Sequence, residues 1–173
     1  MEYGIICAGF GGQGILSLGK FIVYSAMEKG LNVTWLPSYG PEMRGGTANC
    51  SVVLSDDEIA SPIVDAPQCV IAMNKPSFDR FESSVVKGGV LLINSSLIAD
   101  KSLRNDITVR YVDANGISQS LGDNRSANIV MLGAYTKLSS VVEKEAVEMF
   151  LKKQFGQKAD KLLAIFEAGY NAV

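Results

Sequence analysis

Residues 3–14 read YGIICAGFGGQG and decide the fold, because a short apolar run passes directly into a turn rich in glycine. The apolar run over residues 3–8 predicts a buried strand. Residues 14–27 are apolar almost all the way round a helix, which predicts a helix buried on most of its surface. Gly30 ends that helix, and residues 32–36 predict a second strand. These pieces form the opening of a right-handed parallel crossover.

The rest of the chain continues this alternation of strands and helices. Periodicity predicts strands over residues 47–54, 68–73, 90–94 and 107–112, and a short helix after Pro76. Towards the C-terminus it predicts helices over residues 126–138, from a capping box at Ser140 through Lys152, and over residues 158–170. The pattern indicates a single α/β domain over residues 1–173, Rossmann-like, with a mostly parallel sheet and C-terminal helices.

Length and composition are those of one globular domain with a core, since 47% of the 173 residues are hydrophobic and 20% are charged. The net charge is −2 and there is no basic stripe interleaved with aromatic residues, so nucleic acid is not an expected partner. The apolar runs are too short to span a bilayer, and the first residues lack the charged start of a signal peptide. We therefore expect a cytoplasmic protein without a membrane span.

The sequence contains no histidine, which removes the usual general acid–base group and the usual metal ligand. Its cysteines, Cys7, Cys50 and Cys69, are widely spaced in apolar runs and predict buried, reduced thiols. Neither a Ser–His nor a Cys–His nucleophile system can be built, and no cysteine cluster is present to hold an iron–sulfur cluster. We therefore expect no catalytic residue and no metal site in this chain alone, with any redox or acyl-transfer cofactor held elsewhere.

The glycine turn is the first candidate binding site. Gly9, Gly11 and Gly14 fit the G-x-G-x-x-G pattern, follow a predicted strand and open a predicted helix. Glycine permits a tight turn and the close approach of a ligand, and the free amides at a helix start attract phosphate. Gln13 adds a side-chain amide at the mouth of the helix. The alternative is that these glycines only let the strand and the helix pack closely.

Residues 38–47, SYGPEMRGGT, form a second glycine-rich segment after the second predicted strand. A nicotinamide or flavin site of this type needs an acidic residue at the end of that strand, but Glu42 lies beyond it, near Arg44. We expect the segment on the same edge of the sheet as the glycine turn, where the ligands of open α/β sheets bind. Arg44 could clamp a carboxylate or a phosphate, or it could pair with Glu42 in a rigid turn.

Further polar residues stand near the ends of later predicted elements. Asn74 could donate to a ligand oxygen and Lys75 could meet a phosphate, although the sequence slightly favours a solvated lysine at a helix start. Asp113, at the end of a predicted strand, indicates either a helix cap or a ligand group. Asn128 lies in an apolar helix, and we expect it to fix a loop through hydrogen bonds rather than to bind a ligand.

Several motifs together resemble one enzyme family. They are GFGGQG at residues 9–14, YGPEMRGG at residues 39–46, NCSVV at residues 49–53, SPIV at residues 61–64 and IAMN at residues 71–74. This combination closely resembles the gamma subunit of 2-oxoacid:ferredoxin (acceptor) oxidoreductases, and the resemblance covers nearly the whole chain. The form of residues 41–49 is most similar to the 2-oxoglutarate branch.

The resemblance implies a subunit of a multi-subunit enzyme that is not catalytic alone. Such an enzyme decarboxylates a 2-oxoacid on thiamine diphosphate, passes electrons through iron–sulfur clusters to ferredoxin or another acceptor, and transfers the acyl group to coenzyme A. In this family the alpha and beta subunits bind thiamine diphosphate with its Mg ion, and the beta and delta subunits bind the clusters. The implied partners are therefore alpha, beta and delta subunits.

The resemblance also implies a coenzyme A role for the two glycine-rich segments. Arg44 would neutralise a phosphate of coenzyme A or contact the alpha or beta subunit. The candidate cofactor-binding residues, including the two polar residues that follow the strand over residues 68–73, are Gly9, Gly11, Gly12, Gln13, Gly14, Tyr39, Gly40, Pro41, Glu42, Arg44, Gly45, Gly46, Asn74 and Lys75.

Three alternatives stay open at this point. The first is the gamma subunit of a pyruvate or branched-chain 2-oxoacid oxidoreductase, which shares most of the second segment. The second is a free-standing NAD(P)-binding oxidoreductase, against which the missing acidic residue after the second strand counts. The third is a purely structural interaction module whose glycine-rich segments only shape a contact surface.

Overall fold

A six-stranded sheet forms the centre of the computed structural model, which describes residues 1–38 and 47–173. The strands are β1 (Glu2–Phe10), β2 (Asn32–Ser38), β3 (Thr47–Ser55), β4 (Cys69–Ala72), β5 (Val90–Asn94) and β6 (Thr108–Val112). Their order across the sheet is β2-β3-β1-β4-β5-β6. Strands β1, β4, β5 and β6 are parallel to one another, whereas β3 is antiparallel to both of its neighbours. The predicted α/β fold with a mostly parallel sheet is confirmed.

The strands of the first crossover, β1 and β2, are not neighbours in the sheet. β3 lies between them, which the sequence did not predict. β1 and β2 still run in the same direction, since each is antiparallel to β3. β2 also extends beyond the predicted residues 32–36 to Ser38, and so includes Pro37. Proline has no N–H to donate, and an edge strand such as β2 tolerates it.

Six α-helices accompany this sheet in the described part of the chain. They are α1 (Ile15–Met27), α2 (Lys75–Phe81), α3 (Ala114–Ser120), α4 (Ala127–Leu138), α5 (Lys144–Phe155) and α6 (Ala159–Tyr170). A 3-10 turn over Glu82–Ser84 continues α2, and another over Gly156–Lys158 precedes α6. The sequence predicted each of these helices except the short α3.

The start of α5 differs from its prediction. The helix begins at Lys144, and no side chain caps it. Ser139 Oγ instead accepts hydrogen bonds from the N–H groups of Val141 and Val142, both at 3.0 Å. The capping box predicted at Ser140 is therefore wrong, because a serine turn satisfies these amides before the helix starts.

The sheet carries a hydrophobic core on each face. The larger core packs α1, α4, α5 and α6 against one face, and its most completely buried large side chains include Leu18, Tyr135 and Phe166. The smaller core packs Phe78 of α2 and Ile98 against the other face. Coverage of both faces is the layer arrangement of α/β folds.

Helices α4 and α6 are in backbone contact. A Cβ on Gly133 of α4 would meet the carbonyl oxygen of Phe166, and a Cβ on Gly169 of α6 would meet the carbonyl oxygen of Val130. Only glycine permits this approach. The contact fixes α4 between the sheet and α6, and α4 in turn begins beside the glycine turn. Of the helices in the described ranges, none combines the length and the apolar character that crossing a membrane requires.

Candidate functional site

One edge of the sheet carries the glycine turn and the two residues that flank the second glycine-rich segment, Ser38 and Thr47. Because β3 runs in the opposite direction, its N-terminal end lies at the same edge as the C-terminal ends of β1 and β2. Phe10, the last residue of β1, pairs with Thr47, the first residue of β3. Ser38, the last residue of β2, pairs with Asn49 of β3. Open α/β sheets bind their ligands at this edge.

The second candidate segment lies outside the described residues. Its candidate site residues are Tyr39, Gly40, Pro41, Glu42, Arg44, Gly45 and Gly46. The flanking residues Ser38 and Thr47 lie at the predicted edge, so the segment begins and ends there. The roles of the residues within it stay predictions.

The glycine turn connects β1 to α1. Gly12 and Gly14 have positive φ angles of 90° and 72°, which residues with a side chain rarely adopt. Gly14 is the N-cap of α1, and no side chain caps the helix there. The first-turn amides are therefore free of a side-chain cap, and they carry the positive end of the helix dipole. Such a helix end is suited to an anionic group.

Gly9 differs from the other glycines of the turn because its surroundings are crowded. A Cβ at this position would lie 2.7 Å from Ile15 Cδ1 and 2.8 Å from Met73 Cβ. The missing side chain lets the end of β1 approach both α1 and the end of β4. This contact supports the packing interpretation for Gly9, and its predicted role in cofactor binding stays a prediction.

Gln13 braces the turn through both ends of its side-chain amide. Its Oε1 accepts a hydrogen bond from the Phe10 N–H at 2.6 Å, and its Nε2 donates to the Met73 carbonyl oxygen at 3.3 Å. These bonds tie the end of β1 to the end of β4. A ligand would compete with backbone groups for this amide, so Gln13 is better placed to shape the site, and ligand contact by it stays a prediction.

Asn128 holds the other side of the turn. It lies in the first turn of α4, is 7% exposed, and its Nδ2 donates to the Gly14 carbonyl oxygen at 3.2 Å. The same oxygen accepts the Leu18 N–H at 2.9 Å. The prediction that Asn128 fixes a loop by hydrogen bonding is confirmed, and the loop is the glycine turn itself.

A cleft of about 290 Å³ opens beside the turn. It is lined by Phe10, Gly11, Gly12, Gly14, Ile15, Leu16, Ser17 and Ala48. None of these eight described residues is acidic. Ala48 belongs to β3, so the cleft lies between the glycine turn and the first residues of β3.

The sequence predicted the glycines of this cleft but not its five other lining residues, Phe10, Ile15, Leu16, Ser17 and Ala48. Ile15, Leu16 and Ser17 contribute the first turn of α1, where the backbone N–H groups rather than the side chains carry the binding capacity. The signal that could have found them is their position directly after a glycine that opens a helix.

Asn74 and Lys75 follow β4 at the same edge. Asn74 is 1% exposed, and its Oδ1 accepts the Ser77 N–H at 2.9 Å as the N-cap of α2, while its Nδ2 has no partner among the described residues. Lys75 pairs with Asp79 and Asp100, and the hydrogen bond to Asp79 raises the pKa of Lys75. Both side chains thus already have bonding partners at the start of α2, and a ligand role for either stays a prediction.

The ends of β5 and β6 carry a polar cluster that is hydrogen bonded internally. Asn94 Nδ2 donates to Asn115 Oδ1 at 2.8 Å, and Asn94 Oδ1 accepts the Ser96 N–H at 3.2 Å. Asp113 Oδ1 accepts the Gly116 N–H at 3.2 Å as the N-cap of α3. Of the two roles predicted for Asp113, the structure therefore shows the helix cap.

A second groove lacks the features of the cleft. A larger groove of about 420 Å³ lies between α1 and α5, lined by Tyr24, Met27 and Phe150 among others, and it contains none of the candidate residues. Its walls are side chains from the C-terminal parts of α1 and α5, so the smaller cleft stays the candidate site. Within residues 1–38 and 47–173, no three metal-ligating side chains lie close enough to share an ion.

Comparisons with known proteins agree on one family. The profile of the family described as "Pyruvate ferredoxin/flavodoxin oxidoreductase" matches residues 4–172. Ketoisovalerate oxidoreductase subunit VorA of Methanothermobacter marburgensis is 38% identical, over 97% of this chain and 36% of its own length. 2-Oxoglutarate synthase subunit KorC of Methanocaldococcus jannaschii is 34% identical, over 98% of this chain and 93% of its own length. The chain thus spans about a third of the first relative and nearly all of the second.

Solved structures show the same fold. The gamma subunit of a keto/oxoacid ferredoxin oxidoreductase from Geobacter sulfurreducens PCA has a TM-score of 0.85 and 28% identity, over 98% of this chain and 97% of that chain. A 2-oxoglutarate:ferredoxin oxidoreductase from Magnetococcus marinus, with 2-oxoglutarate, coenzyme A and succinyl-CoA bound, has a TM-score of 0.89 and 22% identity. The match covers 99% of this chain and 31% of that chain, and at this identity it shows a shared fold.

Proposed function

We propose that this chain, which belongs to the pyruvate ferredoxin/flavodoxin oxidoreductase family, is the gamma subunit of a multi-subunit 2-oxoacid:ferredoxin oxidoreductase. The observation that carries the proposal is the glycine turn, where an uncapped helix start faces a cleft at the ligand-binding edge of the sheet. The family match over residues 4–172 and the likeness to a solved gamma subunit support it. Residues 1–173 would form one gamma-subunit-like domain that is not catalytic by itself.

The proposed substrate of the complex is 2-oxoglutarate. The similarity to KorC over nearly its whole length supports this choice, together with the form of residues 41–49. A branched-chain 2-oxoacid is the second candidate, because the identity to VorA is 38% against 34% for KorC. Most of the substrate pocket would lie on other subunits, so assay of the assembled complex with both acids decides between them.

The cleft beside the glycine turn is the proposed contact for coenzyme A, which brings anionic phosphates and the thiol that accepts the acyl group. The first-turn amides of α1 would bind a phosphate. Gly12 leaves room for it, because no atom of the described residues lies within 4 Å of the position that a Cβ would take. Gln13 and Asn128 keep the turn in shape through their hydrogen bonds to backbone groups. The coenzyme A bound to the Magnetococcus marinus protein supports the choice of ligand.

The remaining cofactors belong to the proposed partners. Thiamine diphosphate with its Mg ion would be held by alpha and beta subunits, and iron–sulfur clusters by beta and delta subunits, from which ferredoxin or another acceptor takes electrons. The absence of histidine from this chain supports that division. Arg44 would either neutralise a phosphate of coenzyme A or contact the alpha or beta subunit. A cytoplasmic location is part of the same proposal.

The substitution Ser17→Glu tests the cleft. Ser17 is exposed in the first turn of α1 and lines the cleft. A glutamate suits the helix dipole there, so the fold is retained, but its charge repels a bound phosphate. In a complex reconstituted with alpha, beta and delta subunits, we expect the KM for coenzyme A to rise about tenfold at low salt, with kcat nearly unchanged.

The matched control is Ser17→Gln, which has nearly the same shape without the charge and should keep the KM of the unmodified complex. If Ser17→Glu and Ser17→Gln give the same KM at low salt, coenzyme A does not use this cleft. Arg44→Ala provides a second measurement. Unchanged KM together with unchanged assembly would remove Arg44 from the site.

Omission of the chain tests the subunit assignment. The other subunits, purified without it, should show little coenzyme A-dependent reduction of an acceptor, and addition of the chain should restore it. Full activity without the chain would end the proposal. Saturable enhancement of NADH fluorescence by the isolated chain would instead favour a free-standing NAD(P)-binding oxidoreductase.

A further inference from the structure

Cys7 and Cys50 lie directly opposite each other on neighbouring antiparallel strands. Cys7 of β1 pairs with Cys50 of β3, and both side chains are fully buried in the core beneath α1. Cys69 of β4 has no such opposite cysteine, because its partner on β1 is Ile5. The two cysteines therefore form a pair that the third does not join.

The register of the two strands brings this pair into the range of Cα separations that disulfides span. Residues directly opposite in an antiparallel ladder have Cα atoms about 4.5–5.5 Å apart, and their side chains point to the same face of the sheet. Disulfides join residues whose Cα atoms are about 4.4–6.8 Å apart. Their Cβ atoms, about 4.5–5.5 Å apart across such a ladder, must come within about 3.5–4.5 Å, so a bridge needs side-chain rotation and a small approach of the two strands but no shift of register.

The two thiols are also chemically unequal. The Cys7 thiol donates a hydrogen bond to Cys50 Sγ, and this bond, together with burial, raises the pKa of Cys7, whereas the same bond lowers the pKa of Cys50. Cys50 Sγ packs under α1, since a Cβ on Gly19 would lie 2.5 Å from it and 3.0 Å from Nε1 of Trp35. Cys50 is therefore the better nucleophile of the pair, and the single tryptophan of the chain lies next to it.

We propose that Cys7 and Cys50 form a reversible intramolecular disulfide when the folded chain is exposed to a hydroperoxide. The Cys50 thiolate attacks one peroxide oxygen, the O–O bond breaks, and Cys50 becomes a sulfenic acid while the leaving oxygen takes a proton. Cys7 then attacks that sulfur, the S–O bond breaks, and the proton of Cys7 leaves with the hydroxide as water. Two thiols lose two electrons and two protons, and one hydrogen peroxide becomes two waters.

The two cysteines lie close to the ends of β1 and β3, so a disulfide between them would act on the edge of the sheet that carries the glycine turn. Cys7 lies three residues before Phe10, and Cys50 lies three residues after Thr47, and these two end residues are themselves paired at the edge of the sheet. A covalent link would tie together the strands from which the glycine turn and the segment over residues 39–46 emerge. Because both thiols are buried, oxidation requires local opening and should be slow compared with that of an exposed thiol.

The test uses the full chain, hydrogen peroxide and no coenzyme A, so its outcome is independent of the proposed function. After oxidation under native conditions, free thiols counted in denaturant should fall from three to one. The intact mass should fall by two hydrogen atoms, and a peptide map should join the peptides of Cys7 and Cys50. Fluorescence of Trp35 should change on oxidation and recover with dithiothreitol.

Variants supply the matched controls. Cys69→Ser should keep the linkage and the fluorescence response, whereas Cys50→Ala should lose both, and circular dichroism checks that each variant is folded. The mapping on the unmodified chain does not depend on the variants. A link that involves Cys69, a link between two chains, or three intact thiols under conditions that oxidise the urea-unfolded chain would overturn the proposal.

Discussion

Gly12 and Gly14 both have positive φ angles, but their surroundings differ. Within residues 1–38 and 47–173, a Cβ on Gly12 would meet no atom within 4 Å, whereas a Cβ on Gly14 would meet Nδ2 of Asn128. Alanine at either position should cost about 1–2 kcal/mol for the backbone conformation. Gly14→Ala should cost about 1 kcal/mol more, because it displaces the hydrogen bond from Asn128 to the turn. Urea unfolding of both variants measures the difference.

Asn128→Ala completes this comparison at the residue scale. Once the Asn128 side chain is absent, the extra cost of Gly14→Ala should largely disappear, as a double-mutant cycle would show. Additive effects would mean that the two residues do not act on each other. The glycines could be predicted because their pattern is local, whereas Asn128 is 114 residues from Gly14 in sequence, so no local pattern pairs them.

At the scale of elements, the contact between α4 and α6 determines whether Gly169→Ala raises or lowers the stability of the protein. Helix propensity alone predicts that Gly169→Ala stabilises α6 by about 1 kcal/mol. The structure predicts the opposite, because the new methyl group would overlap the Val130 carbonyl oxygen, and such overpacking costs about 1–3 kcal/mol. Chemical denaturation gives the sign directly. The exposed Ala164→Ser on the same helix is the control and should change stability by less than about 0.5 kcal/mol.

The elements also show where prediction from sequence ends. The alternation of buried residues over residues 47–54 predicted a strand, and β3 occupies Thr47–Ser55. Its direction and its place between β1 and β2 could not be predicted, because alternation is the same in parallel and antiparallel strands. The prediction of a capping box at Ser140 was wrong for a related reason. A serine pattern before a helix fits both a cap and the separate turn that Ser139 makes.

For the whole molecule, the buried thiols predict a loss of stability at high pH. Burial raises the pKa of Cys69 from its usual value of 9.0 to about 12. Between these values the unfolded chain releases the proton and the folded chain keeps it. The free energy of unfolding should therefore fall as the pH rises, with a slope that approaches about 1.4 kcal/mol per pH unit for this group.

Cys69→Ala tests this pH dependence. The variant should be less stable than the unmodified chain near neutral pH by a roughly constant amount, because it leaves a small cavity. Between pH 9 and pH 11 its free energy of unfolding should decline less steeply, since one titrating group is gone. Urea unfolding at a series of pH values measures both slopes, and parallel curves throughout would contradict the assignment.

The pairing of β2 with β3 has a consequence for how such chains diverge. The two strands pair from Asn32 with Ser55 up to Ser38 with Asn49, so the peptide joining them is anchored by a stem that belongs to the sheet. Lengthening a joining peptide costs only about 0.6 kcal/mol for each doubling. We therefore expect that exchange of residues 39–46 for those of another family member would leave the pairing of β2 with β3 unchanged. Changes in ligand binding during evolution could then be confined to this one joining segment.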